Sequence, residues 1–207
     1  MKPLTLASEL VTVLVLAAGC ATMRPPEPSG FLDDYSLLEA TSEDPSLLWW
    51  ERPDFNWTDY RALMIDPVAI YFDPVGQDRE VSPAELAQLA TEFQAAVLEV
   101  LGDDYPVVTA PGIDVLRVRC AITDVIPVRP GLNVATSLVA FVPLETGGAS
   151  IEVEFVDSVT GERLAAGVDQ KIGSRLNAST GFSKFGYAGD AFRTWATELR
   201  AALDTNP

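Results

Sequence analysis

Residues 149–173 read ASIEVEFVDSVTGERLAAGVDQKIG, and this stretch decides the fold. In its first half acidic residues alternate with apolar ones, a period of two that predicts a β-strand with one apolar face. The alternating residues are Ile151, Glu152, Val153, Glu154 and Phe155. Residues 157–161, DSVTG, are typical of a turn. We therefore expect a β-hairpin in which Asp157 caps the turn by accepting backbone N–H groups and Gly161 has a positive φ.

The stretch Val115–Val125 predicts a long strand by the same alternation. One face would carry Leu116, Val118, Cys120 and Ile122, and the other Arg117, Arg119 and Ala121. A reactive thiolate requires exposure and a neighbouring cation or base. This pattern therefore indicates that Cys120 is a small buried hydrophobic residue rather than a nucleophile.

Glu152 and Glu154 would lie about 7 Å apart along one strand face, at roughly 3.4 Å per residue. Such a pair is compatible with a metal site or an acid–base pair. Arg117 and Arg119 have the same spacing on another predicted strand, so a cross-strand ladder of ion pairs explains all four residues without chemistry. We favour the ladder, which predicts that the two arginines lie beside the two glutamates.

Two amphipathic helices are predicted. The first begins with Ser82 as N-cap, Pro83 at the first helical position and Glu85 completing a capping box. It ends at Gly102. The second covers about 190–204. Their apolar stripes are Leu86, Leu89, Phe93, Val97 and Val100 in the first and Phe192, Trp195, Ala196, Leu199 and Leu203 in the second.

Shorter segments complete the predicted architecture. Ala62–Phe72 has a β-rich composition in which Pro67 indicates a kink or an edge position, and another strand is expected from about Val107. Residues Gly30–Tyr60 contain too many aromatic side chains for a free tail, so we expect them to wrap around the domain; a binding surface formed by some of these rings is the alternative. The order predicts an α+β fold, with a mixed or antiparallel sheet of about four to five strands and two main helices packed on one face.

The first 20 residues, MKPLTLASELVTVLVLAAGC, have the features of a secretory signal. The apolar run Leu10–Ala18 would rise only about 14 Å as a helix, at roughly 1.5 Å per residue, which is too short to span a bilayer. The small residues before Cys20 resemble the lipobox of bacterial lipoproteins. That resemblance implies cleavage before Cys20 and a diacylglycerol on its thiol. An ordinary secretory signal whose cleavage site contains a cysteine is the alternative.

This interpretation divides the chain into a signal peptide, 1–19, a lipid-anchored Pro-rich tether, 20–29, and a single periplasmic α+β domain, 30–207. With Cys20 acylated, Cys120 is the one remaining thiol and no intramolecular disulfide can form. No Asp follows Cys20, which by resemblance to Gram-negative lipoproteins favours the outer membrane. We expect a periplasm-facing protein held at the membrane through its lipid anchor.

The composition excludes several classes of function. The formal charge of −16 disfavours nucleic acid as a partner, because both would be negative. The absence of histidine excludes a Ser-His-Asp triad, a Cys-His nucleophile and an HExxH zinc helix. Lys171 and Lys184 lie near Ser174, Ser179 and Ser183 in sequence, but SxxK spacing is absent. We expect no metal and no cofactor.

Two loops are candidate sites of function, because loops on a rigid scaffold often carry it. The apolar run LNVATSLVAFVPL at 132–144 either covers the core or contacts a partner or lipid, and we favour core cover or a short buried helix. The 173–189 loop combines Gly, Ser and Asn with Phe182, Phe185 and Tyr187, a composition that suits recognition. These aromatic residues form the candidate partner-binding site; docking of the rings on the domain is the alternative.

Five segments carry a family resemblance. They are GFLDDYSLL at 30–38, DYRALMIDPVAIYF at 59–72, VLRVRCAITDV at 115–125, GGASIEVEFVDSVTGERLAAGVD at 147–169 and DAFRTWATELRAALD at 190–204. They resemble the bacterial lipoprotein family catalogued as domain of unknown function 3313. The resemblance covers nearly all of the mature chain and implies its compartment and architecture, but no activity.

The sequence therefore predicts a lipid-anchored envelope protein that binds a partner, as a non-catalytic adaptor. The alternatives are a carboxylate- or Ser/Lys-dependent envelope hydrolase and a carrier of a small apolar ligand. A deep apolar pocket would support the carrier and a cleft with a buried, perturbed carboxylate the hydrolase. An exposed aromatic patch would support the adaptor.

Overall fold

A computed structural model describes residues 27–71, 81–140, 145–174 and 179–205. The predicted signal peptide and Cys20 lie outside the described residues. Within them the fold is α+β, as expected. The strands are β1 (Glu39–Ala40), β2 (Leu47–Glu51), β3 (Ala62–Ile65), β4 (Ala69–Ile70), β5 (Val115–Ile126), β6 (Gly148–Asp157) and β7 (Arg163–Ile172). The helices are α1 (Pro83–Leu101), α2 (Pro130–Ala140) and α3 (Gly186–Asp204).

The strands form one mixed sheet in the order β1-β2-β7-β6-β5-β3, with β4 also paired to β5. Neighbours from β1 to β5 are antiparallel, whereas β3 and β4 run parallel to β5. Seven strands are described, so the expected four to five were too few. Two of the additional strands, β1 and β2, come from the aromatic segment that was expected only to wrap around the domain.

The segment around Pro67 and the segment around Val107 form less regular structure than the composition suggested. Ala62–Phe72 is divided into β3 and β4 on either side of Pro67, which confirms the predicted kink; Phe72 lies outside the described residues. The prediction of a strand from about Val107 is wrong, since this residue makes a single parallel bridge with Leu63. Flanking prolines, Pro106 and Pro111, have no N–H to extend a ladder.

The helix boundaries follow the capping chemistry closely at α1. The backbone N–H of Glu85 donates to Ser82 Oγ, and the carboxylate of Glu85 accepts the backbone N–H of Ser82 at 2.8 Å, so the capping box is confirmed. Helix α3 begins at Gly186, earlier than the expected residue 190, and α2 was not among the two main helices predicted. No helix in the described part of the chain has the length and apolar character needed to cross a membrane.

Both faces of the sheet are covered. Helices α1 and α3 pack on one face, where the rings of Phe93 and Phe192 stack 4.9 Å apart. On the other face Leu32 joins Ala166 and Val168 of β7 in a second apolar cluster, with Phe31 and other residues of the N-terminal segment packed around it. The predicted wrapping by this segment is therefore confirmed.

The hairpin turn and half of the predicted ion-pair ladder are confirmed. Asp157 Oδ1 accepts the backbone N–H groups of Val159 and Thr160, and Gly161 has φ +72°. Arg119 lies opposite Glu154 and forms an ion pair with it. The prediction that Arg117 and Glu152 also take part in the ladder is wrong.

Arg117 and Glu152 have different partners. The guanidinium of Arg117 binds the Asp66 carboxylate at 2.7 and 2.9 Å, because the parallel strand β3 places the following loop beside β5. Glu152 is fully buried and accepts three hydrogen bonds from the N-terminal segment. The donors are Ser29 N at 2.6 Å, Leu32 N at 3.3 Å and Tyr35 Oη at 2.6 Å. Glu152 therefore attaches this segment to the centre of the sheet.

We predict that Glu152→Gln lowers the free energy of unfolding by about 1–3 kcal/mol, because an amide NH2 would face buried donors. Urea unfolding measures the loss, and hydrogen exchange at residues 29–35 should become faster. Glu43→Gln, on an exposed residue, is the matched control and should leave both unchanged. Equal stability of the two variants would contradict the role of Glu152.

Candidate functional site

A cavity of about 360 Å³ lies between the sheet and the helices α1 and α3. Its volume is within the range of small-molecule sites, about 300–1,000 Å³. Strand residues form the floor, including Cys120, Val153 and Gly167, and helix residues form the roof, including Val97 and Leu199. The surface of the cavity is almost entirely apolar.

The alternation of the hairpin explains the floor. Val153 faces the helices because its neighbours Glu152 and Glu154 face the other way. Gly167 is paired with Val153 on one side and Trp49 on the other. A Cβ on Gly167 would lie 2.7 Å from Cε3 of Trp49, so the glycine allows the indole ring to lie flat against β7.

Aromatic rings form one wall of the cavity. The ring of Trp57 lies 4.9 Å from that of Phe155 and stacks with that of Trp49 at 6.5 Å. Trp57 begins a short 3-10 helix, Trp57–Asp59, which Asn56 caps by accepting the backbone N–H of Thr58. Three of the four tryptophans of the chain line the cavity, so their fluorescence should report its occupancy.

Asp169 provides a buried polar group in this apolar surface. It lines the cavity with 4% of its surface exposed. Its Oδ2 accepts the indole N–H of Trp195 at 2.6 Å and lies 3.0 Å from Nζ of Lys171, which also binds Glu198 at 3.0 Å. Its Oδ1 is buried and accepts no hydrogen bond from the described residues.

Its ion pairs make Lys171 unsuitable as a general base. Burial alone would lower the pKa of Lys171, but the carboxylates of Asp169 and Glu198 outweigh this effect and the pKa is raised. A lysine base requires a lowered pKa. Lys184 binds Glu85 at 2.7 Å, and this contact, together with hydrogen bonds from Ser82, lowers the pKa of Glu85 to about 2.

Cys120 is a free, buried cysteine, as the alternation of β5 predicted. It lies on the floor of the cavity. Burial raises the pKa of its thiol far above the usual value, and the charge of Glu152 acts in the same direction. The thiol is therefore protonated at neutral pH and serves as a small hydrophobic group.

The three aromatic residues of the candidate partner-binding loop occupy different environments. Tyr187 is 3% exposed and lies on α3, where its ring fills the space beside Gly173. Phe185 packs against the main core. Phe182 alone among the three is exposed, at 45%. The structure thus brings no cluster of these rings to the surface.

Residues 132–140 of the apolar run belong to helix α2, but this helix is not buried and does not cover the core, so the favoured interpretation is wrong for these residues. Asn133 is the buried side chain of α2, held by the carbonyl groups of Glu145 and Gly181 at 3.0 Å. Leu138 and Val139 are 78% and 82% exposed. The buried polar contact of Asn133 fixes the helix and turns these apolar residues outward; residues 141–144 lie outside the described residues.

The sequence-based reasoning missed the residues that define the cavity. Asp169 lies on β7, whose sequence RLAAGVDQKI has no alternation that would assign it to one face. For Trp49 and Trp57 the composition predicts either wrapping around the domain or a binding surface, but not which strand they pack against. Their place on the cavity wall depends on the pairing of β2 with β7, which joins residues far apart in sequence.

The family described as "Protein of unknown function (DUF3313)" matches residues 27–199. The chain belongs to this family. The match confirms the domain family that the five sequence segments resemble, and it includes almost all residues that line the cavity. The lipid anchor stays a prediction. No curated protein matches this member of the family.

Solved structures with a similar fold have low sequence identity. A PelC dodecamer from Paraburkholderia phytofirmans has 8% identity and a TM-score of 0.43, covering 76% of this chain and 97% of PelC. A neuraminyllactose-binding hemagglutinin homolog from Helicobacter pylori has 10% identity and a TM-score of 0.38, covering 75% of this chain and 88% of its own.

We predict that Cys120 of the folded Cys20→Ala variant resists the anionic thiol reagent DTNB at pH 8, because its thiol is buried and protonated. Absorbance measurements should show full reaction only in denaturant. Val159→Cys in the same background adds a thiol at a residue that is 60% exposed, and this thiol should react at once. Rapid reaction of Cys120 in the native protein would contradict its burial.

Proposed function

We propose that the protein is a non-catalytic, lipid-anchored binding module of the cell envelope that holds a small apolar molecule in the cavity between the sheet and helices α1 and α3. The observation that carries the proposal is the cavity itself. An apolar concave surface of this size with a few polar groups is the usual form of a ligand site.

The cavity favours ligand binding over the adaptor role. The tryptophan rings Trp49 and Trp57 lie along the cavity wall, whereas the exposed aromatic residues of the described chain are Tyr71 and Phe182. Aromatic side chains provide large contact areas at small entropic cost. Their concentration on the cavity wall supports a role in holding an apolar ligand.

The non-catalytic part of the proposal is supported by the surroundings of the polar groups. The chain has no histidine. Lys171 and Lys184 are both held in ion pairs with carboxylates, and Glu152 and Glu154 bind the N-terminal segment and arginines rather than forming a carboxylate pair for catalysis. These groups serve structure and orientation.

We predict that the protein binds diphenylhexatriene, an apolar fluorophore, saturably, with energy transfer from the tryptophans. Val153→Phe places a ring in the middle of the floor and should weaken binding about tenfold, a change of about 1.4 kcal/mol. Val159→Phe makes the same substitution in the exposed hairpin turn and is the matched control. Absence of saturable binding, or equal effects of the two substitutions, would refute the ligand site.

The envelope location rests on Cys20. We predict that the mature protein purified from membranes has the intact mass of a chain that begins at Cys20 and carries added acyl groups. Cys20→Ala should remain unprocessed or be released in soluble form, which fractionation would detect. A mature chain that begins at Cys20 without acyl mass would contradict the anchor.

A further inference from the structure

The carboxylate of Asp169 is incompletely satisfied. Its Oδ2 has two partners, the indole N–H of Trp195 and the ammonium of Lys171. Its Oδ1 is equally buried, yet no described residue donates to it. A buried acceptor without a donor is costly, because it has lost its water without compensation.

Asp169 is one of the residues that line the cavity. In the sheet it lies between Leu47 of β2 and Ile151 of β6, and all three line the cavity. The strand neighbours Leu47 and Ile151 are apolar and offer Oδ1 no hydrogen bond. A molecule that enters the cavity and carries a donor would complete its hydrogen bonding.

We propose that the ligand is an amphiphile, an aliphatic chain that ends in a hydrogen-bond donor, hydroxyl or amine, and that this donor binds Oδ1 of Asp169 while the chain lies on the apolar floor. This inference rests on the proposed function and specifies its ligand class. It assigns Asp169 the role of a specificity determinant.

The charges around the cavity exclude acidic head groups. Three carboxylates line it, those of Glu51, Asp169 and Glu198, and Lys171 balances part of their charge. A fatty acid anion would approach an acceptor of the same charge in a medium of low dielectric constant, which is strongly unfavourable. A neutral alcohol or a cationic amine meets no such repulsion.

The test measures displacement of diphenylhexatriene by ligands with ten carbon atoms. Diphenylhexatriene has no polar atoms, so its binding reports the cavity independently of Asp169. In the wild-type protein 1-decanol should bind about tenfold more tightly than 2-decanone, because the ketone has an acceptor but no donor. Decanoate should bind more weakly than 1-decanol.

Two substitutions separate the hydrogen bond from the charge. In Asp169→Asn the amide oxygen accepts from Trp195, so the NH2 group takes the place of Oδ1. The preference for 1-decanol over 2-decanone should then fall about tenfold. Glu198→Gln removes one negative charge from the same ion-pair network and leaves Oδ1 in place. It should retain the preference for 1-decanol, while both variants should bind decanoate better.

Each outcome decides between the two proposals. If diphenylhexatriene binds but wild-type protein does not prefer 1-decanol to 2-decanone, the donor inference is wrong and the ligand site remains. If diphenylhexatriene does not bind, the ligand site itself is wrong. If Asp169→Asn and Glu198→Gln change the preference equally, charge rather than hydrogen bonding determines it and the inference is overturned. The wild-type preference needs no substitution, so misfolding of a variant leaves the test intact.

Discussion

Strand β6 is covered on both faces, and this burial obliges the chain to supply partners for two glutamates in the middle of the sheet. The ion pairs of Glu154 with Arg119 and Arg163 meet the requirement at one position. At the other, the backbone of the N-terminal segment and Tyr35 bind Glu152. Because these donors come from residues 29–35, the segment must lie across the far face, where it also covers Val168. The far face is thereby fixed by hydrogen bonds of defined geometry.

A sheet fixed in this way can maintain a cavity on its helical face. The close approach of Trp49 to Gly167 fixes a rigid indole in the cavity wall, and the stacked rings of Phe93 and Phe192 hold α1 against α3. Large rings with few rotamers resist the collapse that would fill the space with flexible side chains. The cavity is thus a consequence of how the bulky residues pack on each other and not of missing core volume alone.

Local sequence signals predicted the elements whose chemistry is local. The capping box at Ser82 and the turn at Asp157–Gly161 involve residues within five positions of each other, so their geometry follows from residue type. Strand β2, LLWWE, has no alternation, and it becomes a strand because β7 offers it an open edge. The partner of Glu152 was missed for the same reason: the donors lie more than 110 residues away, and neither strand pattern identifies them.

Asp169 illustrates why a departure from the apolar pattern is informative. An amide or a hydroxyl side chain would be enough to accept the hydrogen bond of the Trp195 indole, without the cost of burying a charge. The chain instead keeps a carboxylate, recruits Lys171 to balance it and leaves one oxygen without a donor. Natural sequences tolerate such local costs mainly at functional sites. A ligand that supplies the missing donor would remove this cost from the folded state, so that binding and stability are linked through the same oxygen.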